Sequence, residues 1–143
     1  MGSRWLHFPL PSSDWTATGI MENVTVGESV SFGHLLYLKS DGKWWKADAN
    51  AGTTMPGTRL ALETKNADDS CLVLRYGRAR AASSTWGLTV GGESGLLYAS
   101  AAVAGSFTNT APSGAQDRVQ RIGYAYTADA IVFEPSTTIV EVR

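Results

Sequence analysis

A nearly all-β fold is expected from three features of the sequence. Short runs of β-branched, aromatic and aliphatic residues are punctuated by Gly, Pro, Asn and Asp turns. No stretch carries a convincing 3.6-residue apolar period. A series of features in residues 26–77 also recurs, in the same order, over residues 90–136. The expected architecture is a small β-barrel or sandwich of short antiparallel strands, an internal duplication within residues 23–143, preceded by an extended N-terminal arm over residues 1–22. An all-β chain also matches itself loosely through Gly, Pro and β-branched residues, so strand order is the test of the duplication.

The arm differs from the rest of the chain. Trp5, Leu6, Phe8, Leu10 and Trp15 are threaded among Pro9, Pro11, Ser12, Ser13 and Gly19. The prolines disfavour helix, so the segment is expected to be extended. It is too apolar for a solvated tail. Its aromatics either fold back on their own domain or lie on a sister subunit or another protein, as in strand addition. Trp5, Leu6, Phe8 and Trp15 are therefore candidate interface residues.

The β domain is expected to begin near Asn23. Ser29–Phe32 and Leu35–Lys39 read as strands, and Asp41-Gly42 is a hairpin signal because it tolerates the positive φ of a primed turn. Trp44-Trp45 then places one indole on each face of its strand. Leu60–Glu63 and Cys71–Tyr76 are strands, and Arg78–Arg80 continues extended. The later copy supplies Gly95–Ser100, Ser106–Asn109, Val119–Tyr126 and Ala130–Phe133, the last run closed by Pro135. Leu97 and Ile131 belong to the expected core, with Gly123 where backbone crosses closely. In the repeat, Leu35-Leu36-Tyr37 answers Leu96-Leu97-Tyr98, and Trp44 answers Phe107.

At 143 residues the chain suits one domain, able to bury roughly two-thirds of its unfolded surface. Charged residues make up 17%, well below the usual quarter or so. The net charge of −1 gives no electrostatic reason to expect nucleic acid or an anionic membrane as partner. A surface so poor in charge suits a protein that works in an assembly. The single Cys71 excludes an intramolecular disulfide and reads as a buried thiol. No apolar run approaches the ~20 residues of a membrane-spanning helix, and no secretory leader is evident, so assembly in a reducing cytoplasm is expected.

Little catalytic chemistry is written here. His7 and His34 have no Cys or His at metal spacing, and the glycine-rich Gly91–Gly95 lacks the lysine and helix of a phosphate loop. No nucleophile-elbow pattern accompanies the serines. No enzyme, metal or cofactor is expected. Two binding features stand out. Trp44, Trp45 and Trp86 are either core and interface indoles or a platform for sugar rings. Arg75, Arg78 and Arg80 either pair with an acidic neighbour across an interface or guard a solvated strand edge.

A resemblance runs from about Val24 to Val142. Gly27-Glu28-Ser29-Val30, Asp41-Gly42-Lys43, Met55-Pro56-Gly57, Tyr98-Ala99-Ser100, Ala111-Pro112-Ser113-Gly114, Gln120-Arg121-Ile122-Gly123 and Phe133-Glu134-Pro135 together resemble a small β domain of tailed-bacteriophage virion proteins, capsid decoration (cement) proteins among them. The same pattern occurs in phage tail and fibre proteins. The resemblance implies a non-enzymatic structural protein on the outer capsid surface of the virion, assembled in the host cytoplasm. It implies the major capsid protein and sister copies in a homotrimer as partners. A tail-fibre, baseplate or carbohydrate-binding module using exposed tryptophans is the alternative.

Overall fold

The computed structural model describes residues 8–143. It is all-β, a curled antiparallel sheet forming a half-barrel. The strands are β1 (Thr16–Thr25), β2 (Leu35–Leu38), β3 (Trp44–Lys46), β4 (Arg59–Ala61), β5 (Ser70–Arg80), β6 (Leu96–Ala99), β7 (Phe107–Thr108), β8 (Arg118–Val119), β9 (Arg121–Thr127), β10 (Ala130–Phe133) and β11 (Val140–Glu141). Short 3-10 turns occupy Gly52–Thr54 and Gly92–Gly95. The β2–β3 hairpin turns at Asp41-Gly42, where Gly42 has φ 83° and the Asp41 carboxylate accepts the Lys43 N–H at 2.9 Å.

The main sheet runs β3-β2-β4-β5-β10-β9-β6-β7, with β1 added along β5, and β8 pairs with β11 in a separate ribbon. From either end the order reads the same. A hairpin comes first (β2–β3 or β6–β7), its first strand pairs with a third (β4 or β9), and that pairs with a fourth (β5 or β10). The two fourth strands meet at the centre. This is the order that a duplication requires. The residue match differs slightly from the expected one. Tyr37 opposes Trp45 and Ala99 opposes Phe107, so Trp45, not Trp44, is the counterpart of Phe107, and Leu35 is that of Leu97.

Backbone bonds draw the outer ends of the sheet together. Leu35 N–H donates to Gly105 at 2.8 Å, Gly105 N–H to Ala47 at 2.7 Å, and Ala49 N–H to Ser100 at 2.9 Å.

The arm boundary expected at residue 22 is corrected by β1. Thr16 to Thr25 pair antiparallel with Arg80 to Ser70, so most of the second half of the expected arm is a sheet strand. The pairing bridges 45 to 64 residues of sequence and leaves no local signal. Ser29–Phe32, expected as a strand, is instead a loop with one bridge from Val30 to Lys65.

The inner face of the curl holds the main core, with Leu35, Tyr37, Leu60, Leu74, Ala79, Leu97, Ile122, Ile131 and Phe133. Leu97 and Ile131 are fully buried. Replacing Leu97 with Ala should cost about 2–5 kcal/mol in a urea titration, through lost transfer energy and the cavity left behind. A loss under about 1 kcal/mol would mean that β6 collapses onto the gap.

Candidate interaction face

Directly opposed residues in a sheet share a face, so the register separates the sides of the curl. One inward row runs Gly19–Gly77–Phe133–Gly123–Leu97. The neighbouring outward row runs Thr18–Arg78–Val132–Tyr124–Leu96 across five strands. Ile20 opposes Tyr76 beside it, and Tyr98 opposes Arg121 at the far side.

The outward side of the curl is covered in one part and open in another. In the first half, Leu36, Ala61, Cys71 and Val73 are covered by the chain's own Val26 and Val30, with Val24 and Trp44 against them. Cys71 is buried there as a free thiol, and burial pushes its pKa up. Across β1, the latter part of β5 and on to β9 the outward face stays open, with Ile20 46%, Tyr76 39% and Tyr124 38% exposed. Arg75, the extra residue in the β-bulge opposite Ile20 and Met21, is exposed, as is Arg121.

At one end of this face lies a groove of about 480 Å³ between Leu10, Pro11 and Asp14 and the strand residues Arg80, Tyr126 and Ala130. Arg80 fastens the preceding segment, reaching Asp14 at 3.4 Å and the Pro11 carbonyl at 3.4 Å, while the Thr18 hydroxyl bonds to the Pro9 carbonyl. The Arg78 guanidinium lies 5.7 Å from the Tyr126 ring centroid. The Tyr126 hydroxyl is buried without a hydrogen-bond partner among the described residues, and burial pushes its pKa up.

The expected interface residues are thus scattered. Trp5 and Leu6 lie outside the described residues. Phe8 is half-buried at the start of the segment that Arg80 fastens. Trp15 is 50% exposed but sets its edge on Phe32 of its own domain, with centroids 5.6 Å apart. Arg80 is turned to the arm, whereas Arg78 and Arg75 belong to the open face. Sequence reading missed Tyr76, Tyr98, Arg121 and Tyr124, although the alternation in Arg121–Tyr126 held the signal.

None of the three candidate platform tryptophans is unengaged. Trp45 packs on the inner core, donates to Asp41 at 3.1 Å, and has the Lys39 ammonium 4.1 Å from its centroid. Trp44 packs on the outward face of the first half, with Arg59 4.9 Å from its ring. Trp86 stacks on Phe32 at 6.3 Å and meets the edge of Phe107 at 5.1 Å.

Polar groups elsewhere are structural. The Asp129 carboxylate accepts N–H groups from Trp86, Gly87 and Ser84, and the Gly87 and Trp86 bonds do most to hold its pKa below the usual range. His34 accepts the Ser31 N–H at 2.9 Å through Nδ1, and burial keeps its pKa low. Among the described residues no three His, Cys, Asp or Glu side chains gather as metal ligands. No helix among the described residues is long and apolar enough to cross a membrane. Comparison with family models, curated proteins and solved structures finds no match for the chain.

Proposed function

We propose that this chain is a non-enzymatic structural protein of a tailed-phage virion, a cement that docks on the outer capsid surface and bridges capsomers. The observation that carries the reading is the open outward face that runs from β1 and β5 to β9 and β6. The chain covers Leu36, Ala61, Cys71 and Val73 with its own Val26 and Val30, but leaves Ile20, Tyr76, Tyr98, Tyr124, Arg78 and Arg121 along that open stretch. Tyr and Arg are enriched where proteins meet, and they dominate interface energetics. The virion setting rests on the sequence resemblance over about residues 24–142.

A protein that binds only the assembled shell stabilises it by mass action. Repeated weak contacts by an oligomer become strong through effective concentration. The test is sedimentation of the purified protein with expanded and unexpanded shells of the phage that encodes it. Saturable binding to expanded shells and a higher shell-disruption temperature are expected. Failure to sediment with either shell, together with binding to host glycans, would replace this reading by the fibre-type alternative.

A further inference from the structure

Charge and donor chemistry on the open face narrow what can cover it. Arg75, Arg78, Arg80 and Arg121 stand around it against the three carboxylates Asp14, Asp129 and Glu134, a balance of +1 in a chain of net −1. Of these arginines only Arg80 is in an ion pair among the described residues. The lysines Lys39, Lys43, Lys46 and Lys65 all lie in the first half, so the positive charge of this face is entirely guanidinium. Guanidinium groups present paired donors that match a carboxylate better than an ammonium does. Beside them the Tyr126 hydroxyl is buried with no acceptor among the described residues, and Tyr126 lines the groove at the end of this face.

We infer that the open face binds an acidic protein surface, whose carboxylates meet Arg78 and Arg121 while its apolar groups cover Ile20, Tyr76 and Tyr124. A carboxylate entering the groove also supplies the acceptor that the Tyr126 hydroxyl lacks. This rests on the reading of the chain as a docking module and adds the chemistry of its partner. A second copy of the chain is a poorer occupant through this face alone, because face against face would set arginines against arginines.

The experiment compares wild type with Arg78→Glu/Arg121→Glu and with Lys39→Glu/Lys65→Glu, which makes the same charge change in the first half. Thermal melts confirm folding, and Arg121→Glu alone, at an exposed position, serves if the double variant is unstable. Each protein is sedimented with expanded shells and passed over immobilised poly-L-glutamate and a single-stranded oligonucleotide, at low and high salt. Shell binding that weakens with salt, as exposed charges are screened, and falls roughly tenfold or more (about 1.4 kcal/mol) only in the Arg78/Arg121 variants supports the inference. Undiminished shell binding by those variants overturns it and leaves the cement reading standing. Binding to poly-L-glutamate through these arginines without shell binding keeps the acidic partner and removes the cement. Binding to neither, or to the oligonucleotide through the same arginines, overturns the inference.

Discussion

Replacing Gln120 with Ala should destabilise the protein by about 3–6 kcal/mol, a large part of the roughly 5–15 kcal/mol that holds a domain folded. Gln120 is fully buried, and its amide is spent on backbone. Its Oε1 accepts the Gly57 N–H at 2.9 Å, and its Nε2 donates to the carbonyls of Gly57 and Ser136, each at 2.7 Å. One side chain thus ties the approach to β4, the approach to β9 and the segment after β10. Truncation leaves three backbone groups short of a partner, each worth about 1–3 kcal/mol where water cannot reach. Urea titration measures the loss, and a value below about 1 kcal/mol would mean that water enters and takes the amide's place.

Gln120→Glu tests the same bonds by sign. An ionised carboxylate would face two carbonyls and donate to neither. The protonated form donates once, so the folded state favours it and raises the new side chain's pKa above its unfolded value. The penalty is then greatest above the folded pKa and shrinks as pH falls toward the unfolded one. A penalty that stays flat across the acid range would show that the side chain has swung away from Gly57 and Ser136.

Much of the sheet was legible because its signals are local. Alternation in Val119–Tyr126 and the Asp41-Gly42 turn each act over a few residues, and β9 and the β2–β3 hairpin stand where those signals put them, although Gln120 parts Val119 from β9 and leaves it in β8. What escaped depends on contacts distant in sequence. β1 looks like a linker by composition, yet β5 turns it into a strand. Ser29–Phe32 has strand propensity, but its Val30 is used to cover Leu36, Ala61 and Val73 rather than to extend a ladder. Gln120 reads as an ordinary polar residue, and its partner Gly57 is 63 positions away. For the site, the arginines at 75 and 78 were visible as a cluster. That the outward face is covered over Leu36, Ala61 and Val73 but open from Tyr76 to Tyr124 cannot be read from either segment alone.

Gly123→Val should cost about 4 kcal/mol or more, a loss of the size that strain at a special backbone conformation together with overpacking can reach. Gly123 and Gly77 flank Phe133 in the inward row, and Phe133 is the largest fully buried side chain. At φ 146°, Gly123 lies in a region that side chains rarely enter, and a Cβ there would stand 1.9 Å from the Val132 carbonyl oxygen. That oxygen is backbone of the neighbouring β10, so it cannot rotate aside as a side-chain tip could. Gly77 has the same constraint, with φ 145° and the Thr18 carbonyl 2.1 Å from the position of its Cβ. A side chain at Gly123 would force β9 from β10, and one at Gly77 would force β5 from β1. Gly42→Ala is the control, since Gly42 also has positive φ (83°) but nothing within 4 Å, and should cost only about 1 kcal/mol. If Gly123→Val melts no lower than Gly42→Ala, β9 and β10 have room to part, and the packing around Phe133 does not hold the two halves of the sheet together.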